Sequence, residues 1–185
     1  MSIKGLTGIR VNIWDKAEGI FRSPHHKSYV WDEQGIAVSS CRVECWNPND
    51  LCVRGFPKIG EFCSCGIYTS HFEDYVHQYG KRQFAVWFLV EALGTNIWAY
   101  PDCHRGAICA FRAPAVQVIA VINYSRDPKR TIQTKDETIN LSTQSEALLA
   151  AVDYFKVPVI TLDQARAVTR AMWEKSGFPW QDNFF

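Results

Sequence analysis

The chain lacks most of the short motifs by which a sequence discloses a reaction. It has no Gly-rich phosphate loop and no metal-dependent hydrolase motif. It also has no Cys-x-x-Cys knuckle, internal repeat or low-complexity tract. Charge of one sign is missing too. Twenty basic side chains stand against 19 acidic ones, a net charge of +1, so no global field pulls the chain toward nucleic acid or an anionic membrane. The longest apolar run, Phe84 to Val90, is far too short to span a bilayer. Met1-Ser2-Ile3-Lys4-Gly5 opens without the apolar core of a signal peptide. These absences set the expectation of a cytoplasmic protein with no membrane partner. The 185 residues, 47% hydrophobic and 21% charged, suffice for one domain with a real core.

What the chain does have is cysteine. Five of its seven cysteines fall between Cys41 and Tyr68, in a stretch whose Asn47-Pro48-Asn49-Asp50 and Gly55-Phe56-Pro57 segments are turn chemistry. In a reducing compartment such a cluster argues for metal or free thiols over disulfides, and an odd count agrees. Zinc asks for four soft or borderline ligands in a tetrahedron, which a close Cys-x-Cys pair and two cysteines from a neighbouring turn can supply. The expected ligands are Cys41, Cys52, Cys63 and Cys65, with Cys45 and His71 as substitutes. The plainer alternative is a set of buried free cysteines that behave as small apolar residues.

A resemblance is carried by Cys63-Ser64-Cys65-Gly66-Ile67-Tyr68, with a cysteine before a proline upstream of it and a following strand and His104-Arg105-Gly106 hairpin, and it departs from the pattern at Cys52. The chain resembles here a group of small uncharacterised proteins of actinobacteria and their phages, over roughly Ile9 to Val121. The group has a histidine where Cys52 stands. The resemblance implies a metal centre of three cysteines and one histidine, or of four cysteines, and no established activity. Residues 141 to 185 are not clearly covered by it.

Along the chain, Ile9, Val11 and Ile13 alternate with Arg10 and Asn12, the period of a half-buried strand. Ile20-Phe21, Tyr29 to Trp31 and Gly35 to Val38 read as further short strands, so the first forty residues are expected to form a β-meander. The polar pair His25-His26 reads as solvated loop in preference to a ligand pair. Ser70 to Glu73 is a capping-box pattern for a short helix ending at Gly80. Phe84 to Val90 suits a central strand buried on both faces, with a turn at Glu91 to Thr95. Ile97 to Tyr100, Ala107 to Phe111 and Val116 to Ile122 supply more strand, the last with one well-buried face. Two helices should follow a polar connector. One opens at Thr143-Gln144-Ser145-Glu146 with a stripe of Leu148, Leu149, Val152 and Phe155. The other opens at Thr161-Leu162-Asp163-Gln164, turns Leu162, Ala165, Val168, Met172 and Trp173 inward, and ends at Gly177. The last residues, Phe178-Pro179-Trp180 through Phe184-Phe185, are aromatic enough to dock on the body or await a partner.

The fold class expected is α+β: a mainly antiparallel β-core with a zinc knuckle, a short helix after it and two C-terminal helices. Residues 1–140 would be the core, and residues 141–185 a helical segment packed on it. Asp102-Cys103-His104 could suggest a cysteine nucleophile, but adjacent side chains rarely face each other, so turn residues are the better reading. Nothing brings Glu91 and Asp102 together as a carboxylate pair. The helix pair lacks the Arg, Lys, Asn and Gln cluster that major-groove reading needs, although Arg166 and Arg170 share a face. The expected function is a non-enzymatic, zinc-stabilised binding or assembly module with a protein partner, in an intracellular, phage or mobile-element system. Two alternatives stand beside it. One is a nucleic-acid-binding protein using Arg126, Lys129 and Arg130 with aromatic stacking platforms. The other is an enzyme with an open zinc position.

Overall fold

A computed structural model describes residues 5–23, 30–39, 66–69, 84–94, 97–99, 111–123 and 143–177. Its centre is β5 (Ala85–Leu93), the apolar run, which continues through Glu91 to Leu93 where a turn was expected. β5 lies between β1 (Thr7–Asp15) and β8 (Ala115–Asn123), antiparallel to both. At the outer edge of β1, β2 (Ile20–Arg22) returns through a tight turn in which Gly19, at φ 67°, donates its N–H to the Asp15 carbonyl at 2.8 Å. Arg22 reaches back to the carboxylates of Asp15 and Glu18 and closes the hairpin.

The chain does not go on as a meander. Val30 makes one isolated bridge to Arg22, and β3 (Ile36–Val38) crosses to the far edge of the sheet to pair with β8. The free edge of β8 is shared. Its first residues pair antiparallel with β3, and its last residues pair parallel with β9 (Val159–Thr161). A second, three-stranded sheet has the order β4 (Ile67–Tyr68), β7 (Phe111–Ala113), β6 (Trp98–Ala99). The architecture is therefore α+β with a mainly antiparallel sheet.

Helices cover both faces of the main sheet. Along β5 successive side chains point to opposite sides. Val86, Phe88 and Val90 meet Leu148, Ala151 and Phe155 of helix α1 (Thr143–Phe155) in one core. Trp87 and Leu89 join Ile9, Val11, Ala120, Ile122 and Ala165 of helix α2 (Leu162–Lys175) in the other. The first core is aromatic. Phe155 tilts against Phe21 at a centroid distance of 5.1 Å, and stands edge-on to Phe88, also at 5.1 Å.

Three further sequence expectations change. β1 is covered on both faces, so Asn12, read as a solvent position, is fully buried, and its side-chain oxygen accepts a hydrogen bond from the Trp31 indole. β8 buries residues on both faces as well. A bulge opposite Leu89 and Val90 leaves Ile119 unpaired, which reverses the alternation and sends Val118 and Val121 to one core and Ala120 and Ile122 to the other. The buried helix stripes are Ala147, Leu148, Ala151 and Phe155 in α1, and Ala165, Thr169 and Trp173 in α2. Leu149 and Val168 face outward, at 41% and 40% exposure. Close approach to the sheet selects the small Ala and Thr positions over the larger ones that dominate a hydrophobicity scan.

Candidate metal centre

All seven cysteines, including the expected ligands Cys41, Cys52, Cys63 and Cys65 and the substitute Cys45, lie outside the described residues. So do His71, the Ser70 capping box, Asp102-Cys103-His104, His25-His26, Arg126, Lys129, Arg130 and the aromatic tail. Among the described residues, no three His, Cys, Asp or Glu side chains come together as a metal-binding group. What the structure describes is the strands β3 and β4 that flank the cysteine segment in the chain.

Both strands pair beside Pro114, the residue joining β7 to β8. Upstream of Cys41 the chain leaves β3 at Val38, paired with Ala115, and Ser39 donates its N–H to the Pro114 carbonyl at 2.8 Å. Downstream of Cys65, Ile67 of β4 pairs with Ala113. Ser39 and Ile67, on either side of residues 40–65, are therefore held by the neighbouring residues Pro114 and Ala113 of one β-corner. The corner is tight. A Cβ on Gly94, whose φ is 101°, would stand 2.7 Å from the Pro114 ring, so this close approach requires glycine.

A second set of contacts ties β4 to the main sheet. Arg10, opposite Phe88 in β1, donates from one guanidinium nitrogen to the Tyr68 carbonyl and from the other to the Ser23 hydroxyl, the latter at 3.0 Å. Arg112, only 5% exposed in β7, pairs with Tyr68 across the ladder, and its guanidinium lies 6.0 Å from the Tyr68 ring centroid. One residue later, Thr69 bonds through its N–H to the Phe111 carbonyl at 3.0 Å. Gly8 in β1 permits this approach, since a Cβ there would fall 2.5 Å from the Thr69 hydroxyl oxygen.

Arg10 and Arg112 carry no signal that reading the sequence could have used. Arg10 occupies a polar slot of an alternating strand, and Arg112 follows an expected strand end at Phe111. Only the docking of one sheet on the other puts both guanidinium groups beside Tyr68.

Elsewhere, burial raises the Tyr154 phenol above its ordinary 10.0, with the carboxylates of Glu33 and then Asp32 adding to the shift. Its hydroxyl donates to the Trp31 carbonyl at 3.4 Å, which makes it a structural group of the α1 contact. Among the described residues no helix is long and apolar enough to cross a membrane. Compared with known proteins, the chain matches no family model, no curated protein and no solved structure.

Proposed function

We propose that this chain is a non-enzymatic binding or assembly module in which one zinc ion, held by Cys41, Cys52, Cys63 and Cys65, cross-links the segment between β3 and β4. The observation that supports this reading most directly is the convergence of Ser39 and Ile67 on the Pro114 corner. Residues 40–65 carry the turn signals Asn47-Pro48-Asn49-Asp50 and Gly55-Phe56-Pro57, and closing so long a segment costs chain entropy. A corner that already holds Ser39 and Ile67 lowers that cost, and four thiolates sharing a zinc ion would supply the rest. Structural zinc sites in small peptides contribute on the order of 10 to 16 kcal/mol at neutral pH. The surface presented to a protein partner would be this cross-linked segment with its neighbour Val38, which is 54% exposed.

Elemental analysis of protein purified without added metal tests the reading: one zinc per chain is expected. Cys63→Ser and Cys65→Ser should lose the zinc and much of the solubility, while Cys103→Ser and Cys109→Ser should lose neither. A metal-free protein whose seven thiols all react in the native state would refute the site. Three protein ligands with an exchangeable water in the fourth position would convert the reading to an enzyme.

A further inference from the structure

We propose that Met172 is an oxidation-sensitive latch, whose thioether holds the C-terminal turn of α2 against the start of β1 and whose sulfoxide releases it. The contact is close. A Cβ built on Gly5 would stand 2.6 Å from the Met172 methyl carbon, so the thioether tip lies directly against the backbone that leads into β1. Glu91 of β5 borders the same spot, with its Oε1 4.0 Å from that Cβ position. The residue after Met172 is Trp173, fully buried, whose indole N–H donates to the Thr7 carbonyl at 2.9 Å. Two adjacent side chains thus fasten one helix turn to the first residues of one strand. Ser176 locks the turn from behind, donating its N–H at 3.0 Å and its hydroxyl at 2.8 Å to the Met172 carbonyl. A change at the Met172 side chain is therefore passed to the whole turn.

Met172 is half-buried, so solvent reaches its side chain, whereas Trp173 is shut away. Apart from Met1 it carries the only thioether of the chain. Hydrogen peroxide supplies the oxidant. The sulfur lone pair attacks one peroxide oxygen, the S–O bond forms as the O–O bond breaks, and the second oxygen leaves as water after proton transfer. The sulfur loses two electrons and the peroxide gains them. A flexible apolar thioether becomes a polar, chiral sulfoxide. The new oxygen sits on the atom next to the packed methyl, and an ionised carboxylate such as that of Glu91 offers it no donor. Packing as tight as that at Gly5 does not admit a further atom without displacement. Freeing this turn loosens α2, the wall over Ile9 and Leu89, so an oxidant gains the means to uncover an apolar sheet face.

The test treats the full-length chain with hydrogen peroxide, restores its thiols with dithiothreitol, and locates the added oxygen at Met172 by peptide mass spectrometry. The oxidised chain should exchange the Trp173 indole N–H about 5- to 30-fold faster and unfold at lower urea, the effect of one buried polar group left unsatisfied. A methionine sulfoxide reductase, which does not act on oxidised cysteine, should restore both values. Met172→Leu, of similar volume, should keep both through the same treatment. Should that variant not fold, reversal by the reductase in the parent chain decides. Exchange within twofold of the untreated chain once Met172 is oxidised would show that the sulfoxide oxygen finds a donor, such as the buried Thr169 hydroxyl three residues back, and would overturn the latch. A thioether that resists peroxide in the folded chain, or a loss that the reductase does not repair, would overturn it as well.

Discussion

The indole N–H of Trp31 donates to the side-chain oxygen of Asn12 at 2.9 Å, with both residues almost completely buried. The bond holds Trp31, which belongs to no strand, edge-on to Phe88 at 5.7 Å and so seats the connection between β2 and β3 in the aromatic core. The asymmetry of buried hydrogen bonds sets the expected effect. Asn12→Ala leaves a buried indole N–H unsatisfied, a loss of about 1 to 3 kcal/mol, and adds a small cavity. Asn12→Leu combined with Trp31→Phe removes both polar partners and should cost less than the two single changes added together. Urea unfolding of the four proteins measures this coupling, and strict additivity would mean that the bond contributes nothing to stability.

Helix α1 ends in a residue that does not suit its backbone. Lys156 has φ 54°, in the left-handed region that glycine or asparagine fills at most helix ends, and its N–H closes the last turn on the Val152 carbonyl at 3.0 Å. Its ammonium pairs with Asp153, and both side chains are largely exposed, so the pair contributes little. Lys156→Gly should raise stability by about 1 kcal/mol, read as a higher urea midpoint at unchanged slope. A lower midpoint would mean that the lysine stem contributes more by covering apolar surface than its backbone costs.

The Tyr154 phenol should give the fold an alkaline limit. Its folded pKa is raised, first by burial and then by Glu33 and Asp32, so the neutral form is the one the fold prefers. The stability this provides is complete below the ordinary phenol value of 10.0 and is lost as pH rises through the raised folded value. Ionisation also removes the proton donated to the Trp31 carbonyl. Tyr154→Phe should therefore be less stable than the parent near neutrality and lose less stability between neutral and strongly alkaline pH. Parallel slopes for the two proteins would show that other groups set the alkaline limit.

Much of this architecture was legible because it rests on local signals. The Phe84 to Val90 run marks β5, and the capping box at α2 forms as its residues predict, with the Thr161 hydroxyl accepting from the Gln164 N–H at 3.2 Å and the Gln164 side chain accepting from the Thr161 N–H at 2.8 Å. Gly177, at φ 76°, ends that helix where expected. What escaped the sequence is pairing at long range. Gly35 to Val38 reads equally well beside β2 or beside β8, and only the pairing of β3 with β8 at the opposite edge from β2 decides between them. The Ile119 bulge is invisible because an apolar residue stands at every phase of that stretch. For the candidate site, the cysteine spacing was plain, whereas the placing of Ser39 on Pro114 and of Ile67 on the adjacent Ala113 depends on three separate parts of the chain.

Close approach of the two sheets makes Gly8 a sharp test of their docking. Its φ is unexceptional, so the cost of a side chain there is steric alone, against the Thr69 side chain and, at 3.1 Å, the Phe111 ring. Gly8→Ala should destabilise by about 1 to 3 kcal/mol, the usual effect of overfilling a tight contact. Gly19→Ala is the control: that residue, unlike Gly8, has a left-handed backbone, at φ 67°, and open space around it, so only about 1 to 2 kcal/mol of backbone strain is expected. Hydrogen exchange separates the two, because Gly8→Ala should speed exchange at the Thr69 and Ile67 amides while Gly19→Ala leaves them protected.

The C-terminal helices supply one wall of each core, which makes their removal a test of whether they belong to the body. Leu148 and Phe155 bury against Val86, Phe88 and Val90, Ala165 covers Leu89 and Ile122, and Trp173 donates its indole N–H to the Thr7 carbonyl at 2.9 Å. Each large apolar side chain returned to water costs about 1.5 to 3 kcal/mol, and both faces of β5 would be exposed together. Helix removal also takes away β9, which leaves the last residues of β8 unpaired on one edge. A chain ending at Asn140 should therefore aggregate or dimerise through the bared sheet, as size-exclusion chromatography with light scattering would show. A soluble, monomeric product with native near-ultraviolet circular dichroism would instead mean that residues 141–185 form a separable module that docks on the sheet without being needed for it.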